Sequence, residues 1–165
     1  MTTIVLMAVF TSYIMLNFDL KYFAGNMLTN SYVLGVGDLV AKLMGGVIFL
    51  FIGLKNFNLL CFGVGAIGSL ALSLFHNQGS LIPILLFVTR SGISMGWVAV
   101  QFNIVLLFPT VLKSSTSGIV YFFGACSGMV APFLVELGQP LDMAILFTIM
   151  IVALITTFFM VEKKC

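Results

Sequence analysis

Residues 81–108 read LIPILLFVTRSGISMGWVAVQFNIVLLF and are followed directly by Pro109. The stretch contains one charged residue, Arg90. About 20 consecutive apolar residues cross the hydrocarbon core of a bilayer as an α-helix. The apolar run is continuous, whereas barrel strands alternate apolar and polar residues over segments of about ten. We therefore predict a membrane-spanning helix over 81–108, whose length indicates a tilt or an end that projects into the interface.

The rest of the chain has the same character. It has 165 residues, of which 61% are hydrophobic and 7% are charged, whereas about a quarter of the residues in an average soluble domain are charged. A chain with so few charged residues cannot cover its surface with polar groups, so its apolar side chains need lipid as their surroundings. The predicted spans are 2–23, 31–54, 57–75, 81–108, 115–137 and 141–161. We expect an all-α membrane protein with six transmembrane helices, forming a single domain over 1–165.

The polar residues exclude several classes of function. The net charge is +2, and no basic run is longer than the pair at 163–164, so a nucleic acid partner is not expected. Cys61, Cys126 and Cys165 are far apart and match no metal-binding spacing. The one histidine, His76, falls in a predicted loop, and no catalytic set can be assembled around it. We expect no enzyme activity, no metal and no cofactor.

The basic residues between the spans predict the orientation. Lys55, Lys113 and the pair at 163–164 fall on the side of both termini, and Lys21 falls on the other side. Basic residues are retained on the side from which a chain is inserted. Both termini are therefore expected on the cytoplasmic side, or its equivalent in an organelle. The amino terminus lacks the basic region and cleavage site of a signal peptide, so we expect its apolar stretch to be a retained span.

Three charged residues stand out within the predicted spans, where a charge at the helix centre costs at least about 2.5 to 3.5 kcal/mol. Asp38 and Lys42 are four residues apart and share one helix face. They either neutralise each other or belong to a substrate or proton path. Arg90 cannot lose its proton, so it either pairs within the bundle or extends to the headgroup layer. All three are candidates for a substrate pathway.

Three further polar candidates follow a stretch of low bulk at 92–96 in the fourth span. They are Trp97, Gln101 and Asn103. Gln101 follows Trp97 by one helical turn, so an indole and an amide can line one side of a cavity. Contact between membrane helices explains them equally well, because amides also hold such helices together.

Glycines indicate where helices approach closely, because lipid provides no hydrophobic force for helix association. Gly124 and Gly128 form a small-xxx-small step on the fifth span, with Gly118 nearby. Pro132 is expected to kink that span. The glycines at 63–68 superficially suggest a dinucleotide-binding loop, but no βαβ unit surrounds them, so we interpret them as packing residues.

The order of features from Arg90 onward also matches a family pattern. The matching segments are Arg90-Ser-Gly-Ile-Ser94, Phe102-Asn-Ile-Val-Leu-Leu-Phe-Pro-Thr110, Lys113, Gly118 and Met129-Val-Ala-Pro-Phe133. They resemble the carboxy-terminal half of the organic cation and anion transporters, a branch of the major facilitator superfamily. In that branch the tenth helix ends in an aromatic-proline-threonine turn and the eleventh in Ala-Pro-Phe. Residues 31–38 are similar to the start of its eighth helix.

The resemblance implies that the six helices correspond to helices seven to twelve of a twelve-helix transporter. Alternating access needs two bundles, so it implies transport of a small organic solute with a second six-helix bundle, either another copy or a separate subunit. Three departures remove charges or loops typical of the family: Leu106 replaces an acidic residue, Ala125 replaces a charged one, and the loop at 53–56 is short. They favour the alternative of a non-transporting structural or accessory subunit of a larger membrane complex.

Overall fold

The computed structural model describes residues 2–23, 27–75, 81–107, 109–138 and 141–159. Regular structure within these ranges is entirely helical. The helices are α1 (Thr2–Asp19), α2 (Met27–Ile52), α3 (Leu54–Phe75), α4 (Ile82–Leu107), α5 (Thr110–Gly128), α6 (Ala131–Val135) and α7 (Leu141–Phe158). Within the described ranges, six segments are long and apolar enough to cross a membrane, with α5 and α6 together forming one of them. The predicted class, an all-α multi-pass membrane protein, is confirmed.

Several helix boundaries differ from the sequence prediction, two of them by four residues. The first span ends at Asp19 and not at 23, and α2 begins at Met27, four residues before the predicted start. The turn between α2 and α3 is a single residue, Gly53, whose φ is +81°. Glycine adopts this left-handed conformation without the steric penalty of a side chain. The chain can therefore reverse between two long helices with almost no loop.

The fifth span is interrupted at the position where a kink was predicted. Helix α5 ends at Gly128, and Pro132 occupies the first turn of α6. Proline has no N–H to donate and its ring clashes with the carbonyl four residues earlier, so it kinks or breaks a helix in its interior. In the first turn of a new helix its missing N–H is tolerated. The backbone N–H groups of Phe133 and Leu134 both point to the carbonyl of Val130.

The helices are arranged with α1 and α4 at the centre. Helix α2 packs mainly on α4, and α5 packs mainly on α1. On the other side, α3 packs on α4, and α7 packs mainly on α3 and less extensively on α1. The packing therefore keeps its pattern when α1 is exchanged with α4, α2 with α5 and α3 with α7. The chain crosses the membrane three times between the start of α1 and the start of α4. The unit of α1, α2 and α3 therefore runs in the opposite direction to the unit formed by α4, the span of α5 and α6, and α7.

The closest helix approach described lies between α3 and α4. A Cβ atom built on Gly92 would lie 2.5 Å from the backbone nitrogen of Gly65, and one built on Gly68 would lie 2.9 Å from the Cα of Thr89. Either distance is too short for a real side chain. Gly65 and Gly68 thus bring the backbones of α3 and α4 together, as expected for helices that associate in lipid by close packing.

Two glycines of α5 lie close against α1, whereas a third does not. A Cβ atom on Gly124 would lie 2.7 Å from Phe10 of α1, and one on Gly128 would lie 2.5 Å from Ile14. Gly118 is a correction to the prediction, because no described atom outside its own helix lies within 4 Å of a Cβ built there. It precedes Gly124 by six residues, which places it on a different face of a helix with 3.6 residues per turn.

We predict that Gly92→Ala lowers the free energy of unfolding by about 1 to 3 kcal/mol, because the added methyl group overpacks the contact with Gly65. Gly46→Ala is the matched control, since a Cβ there meets nothing within 4 Å and alanine has the better helix propensity. Unfolding in mixed micelles can be followed by the fluorescence of Trp97, the chain's one tryptophan. Equal stability changes in the two variants would contradict the close approach of α3 and α4.

Candidate functional site

Arg90 is paired within the bundle and does not extend to the headgroup layer. Its side chain is 4% exposed. The guanidinium Nε donates to Oδ1 of Asp38 at 2.7 Å, and Nη2 donates to Oδ2 at 3.2 Å. Two parallel charge-assisted hydrogen bonds of this kind combine strength with a fixed geometry. The pair therefore fixes α2 against α4.

Three more groups complete the surroundings of Asp38. The hydroxyl of Tyr13 donates to Oδ2 at 2.8 Å, and the hydroxyl of Ser94 donates to Oδ1. The ammonium of Lys42 lies 3.6 Å from Oδ2, and the Lys42 side chain is 52% exposed. Asp38 and Lys42 thus form the predicted contact one turn apart, but the closer cation is Arg90. We refer to Asp38, Lys42 and Arg90 as the charge cluster.

Tyr13 also binds the arginine of the cluster directly. The central carbon of the Arg90 guanidinium lies 3.6 Å from the centre of the Tyr13 ring. This is a cation–π contact, which gains strength when both partners are removed from water. The backbone carbonyl of Tyr13 accepts a further, longer hydrogen bond from Nη1 at 3.4 Å. Helix α1 is therefore attached to the same charged centre as α2 and α4.

The helix repeat explains why the remaining α4 residues line up with Arg90. Residues 90, 94, 97 and 101 recur at intervals of four, three and four, so they share one face. Along this face an aromatic column continues from the charge cluster; its members are Phe10, Tyr13, Trp97 and Tyr121. The Trp97 ring lies 4.7 Å from Phe10, 6.1 Å from Tyr13 and 6.2 Å from Tyr121, between ring centres.

Gln101 lies at the far end of the aromatic column. Its amide nitrogen donates to the hydroxyl of Tyr121 on α5. Trp97 and Gln101 therefore occupy one side of α4, as their spacing predicted, and face α1 and α5. The structure joins five of the six predicted candidates through direct contacts or through Tyr13 and Tyr121.

Asn103 is the candidate that the structure separates from the others. Its amide exchanges two hydrogen bonds with that of Asn58 on α3, at 3.1 and 3.3 Å, and both side chains are buried. Two positions after Gln101, a helical residue points about 200° away. Asn103 therefore connects α4 to α3 behind the site. Of the two interpretations of Asn103, the structure favours the helix–helix contact.

Tyr13, Ser94 and Tyr121 are site residues that sequence reasoning missed. Each lies in an apolar span and carries one hydroxyl, which is common in membrane helices and gives no distinctive pattern. One signal was present: Ser94 follows Arg90 by four residues and so shares its face. The two tyrosines belong to other helices, and their approach to α4 depends on packing.

No family identification follows from comparison with known proteins: the sequence matches no protein-family model, and no curated protein is significantly similar to it. Within the described ranges, no group of three or more His, Cys, Asp or Glu side chains could hold a metal ion. Interpretation of the site therefore depends on the charge cluster and the aromatic column.

We predict that Asp38→Asn destabilises the protein by about 3 to 5 kcal/mol, because it leaves the buried guanidinium of Arg90 without a counter-charge. Replacing both residues, as Asp38→Leu with Arg90→Met, is expected to restore most of that loss. Lys42→Met is the control, since a half-exposed ammonium contributes little. Unfolding free energies of the wild type, Asp38→Leu, Arg90→Met and the double variant give the coupling energy. A coupling near zero would mean that the two helices are not held by this pair.

Proposed function

We propose that this chain is one six-helix half of a membrane transporter for a small organic anion, similar to the carboxy-terminal half of a major-facilitator-type protein. It works against a second six-helix bundle. The observation that carries the proposal is the half-exposed Lys42 in the central part of α2, beside the buried pair of Asp38 and Arg90.

The helix arrangement supports the assignment to a transporter half. Transporters of this type are built from three-helix units of opposite direction, and their sites lie near the midplane where the units meet. Exchange of α1 with α4, α2 with α5 and α3 with α7 preserves the packing pattern. The charge cluster and the aromatic column lie on α1, α2, α4 and α5, where such a site is expected.

The exposure of Lys42 supports the need for a second bundle. An ammonium facing hydrocarbon near the middle of a helix costs about 2.5 to 3.5 kcal/mol or more. A water-filled space between two bundles removes that cost, and lipid does not. Apolar residues exposed around Lys42 on α2, such as Leu39 and Leu43, can pack against the same partner.

The balance of charge favours an anionic substrate. The charge cluster contains two cations and one anion, and Arg90 engages both oxygens of Asp38. The positive charge in excess is therefore that of Lys42, whose ammonium can bind a carboxylate or another anionic group. The neighbouring rings of Tyr13 and Trp97 offer an apolar surface to the body of an organic molecule.

An accessory subunit is the second candidate function, and one observation favours it. The Arg90 guanidinium already has a carboxylate, a carbonyl and an aromatic ring as partners. A cluster satisfied in this way can serve solely to hold three helices together. Leu106 and Ala125, which replace family charges, agree with that role.

We predict that a photo-crosslinking residue at position 43 on α2 captures a six-helix partner, either another copy or a separate subunit, in native membranes. The same residue at position 67 on α3 is the matched control, because Leu43 and Ile67 are both 69% exposed. Helix α3 lies on the outer side of the bundle, so position 67 is expected to react with lipid. Mass spectrometry identifies the products. Equal capture of protein at both positions would contradict a partner specific to the α2 face.

We predict that the native complex in proteoliposomes takes up labelled organic anions, and that Lys42→Met lowers uptake at least about tenfold, the effect of losing ~1.4 kcal/mol of binding. Lys55→Met is the control, because Lys55 lies at the start of α3, away from the charge cluster. Uptake that is unchanged by Lys42→Met would refute the assigned role. A stable complex without uptake would support the accessory subunit.

A further inference from the structure

Two acidic residues meet at the end of the bundle opposite the termini. Asp19 is the last residue of α1 and Asp142 is the second residue of α7. Both side chains are completely buried. The carboxyl groups lie within hydrogen-bonding reach of each other. They belong to neither the charge cluster nor the aromatic column.

Among the described residues, no donor reaches three of their four oxygens. Neither oxygen of Asp19 has a hydrogen-bond partner there, and Oδ2 of Asp142 also has none. Oδ1 of Asp142 accepts one hydrogen bond, from the backbone N–H of Met143 at 2.7 Å. The unpartnered, fully buried side chain of Asp19 thus points at a second acceptor, and two acceptors cannot bond without a hydrogen between them.

Within the part of the chain that the structure describes, the charges nearby do not compensate for two carboxylates. A side-chain hydrogen bond with Tyr22 raises the pKa of Lys21, so this residue stays cationic. Lys21 is exposed to solvent, however, and it also interacts with Glu136. Helices α3 and α5 carry their charges, Lys55 and Lys113, near the opposite end of the bundle. Helix α4 carries Arg90, which is committed to Asp38.

We propose that Asp19 and Asp142 form a proton-binding site, in which a single proton is shared between the two carboxyl groups at neutral pH. Two like charges at hydrogen-bonding distance in a buried site cannot both be ionised without a large penalty, so the first proton to bind is held tightly. The proton provides the missing donor: one carboxyl is then an O–H group and the other its acceptor. The inference requires no transport activity.

Loss of the proton changes the contact between α1 and α7. The O–H bond breaks, the proton passes to water, and two carboxylates remain face to face. Their repulsion is strong because the surroundings are apolar. The end of α1 and the start of α7 therefore separate at alkaline pH, so the contact between these two helices depends on pH.

The test is an infrared titration of the full chain in lipid nanodiscs. We expect a protonated-carboxyl absorption at neutral pH that disappears as the pH is raised. Asp38 pairs with the Arg90 guanidinium and Glu136 is exposed, so the following variants assign the absorption to its residues. Asp19→Asn and Asp142→Asn should each abolish the alkaline titration step, because an amide cannot release this proton. Glu136→Gln, at the same end of the bundle, should leave the step unchanged.

A stability measurement on the wild-type protein provides a second test. The folded chain holds a proton that the unfolded chain, with carboxyl groups of ordinary pKa of about 3.9, does not bind at neutral pH. Stability should therefore fall as the pH rises through the alkaline step, and Asp19→Asn should flatten this dependence. Absence of a protonated carboxyl at neutral pH would overturn the proposal. A melting temperature that rises with the sodium concentration and does not depend on pH would also overturn it, because it would indicate a bound metal ion.

Discussion

The ion pair between Arg90 and Asp38 is the constraint on which the site depends. Arginine remains charged in a protein, and a charge in the hydrocarbon layer must be compensated inside the bundle. The two side chains come from α4 and α2, and Tyr13 adds α1 through its ring and its hydroxyl. One charged centre therefore sets the relative positions of three helices and orients Trp97 along the same face.

Close backbone packing also holds the helices together. Apolar side chains gain no hydrophobic stabilisation by moving from lipid into the protein, so helices associate where their surfaces can approach most closely. Gly65 and Gly92 bring α3 against α4, and Gly124 and Gly128 bring α1 against α5. These contacts lie outside the charge cluster. The bundle thus combines a central polar connection with glycine contacts on both sides of it.

The buried acidic residues show how hydrogen-bond partners decide whether a carboxyl group carries a charge or a proton. Asp38 receives donors from a guanidinium and two hydroxyls, so it is suited to a permanent negative charge. Asp19 and Asp142 have chiefly each other, an arrangement that favours a bound proton. One end of the bundle can therefore respond to pH while the charge cluster keeps its charge. Both sites involve helix α1, through Tyr13 and Asp19, but their hydrogen-bond partners are separate.

The sequence by itself determined the class of the protein. Six apolar stretches, the break at Pro132 and the placement of Arg90 and Asp38 inside spans all follow from local chemistry and from the thickness of a bilayer. It also indicated that Trp97 and Gln101 share a face, because their spacing is one helical turn.

Only the tertiary structure decided which faces meet. Asp38 and Arg90 are 52 residues apart, Asn103 turned out to contact α3 and not the site, and Gly118 packs against no described neighbour. The pair of Asp19 and Asp142 depends on the ends of two helices that are distant in sequence. The physical reason is that helices in lipid are apolar on every side, so the periodicity that marks the buried face of a soluble helix is absent. Contact is then selected by shape and by buried charges, which belong to the assembled bundle.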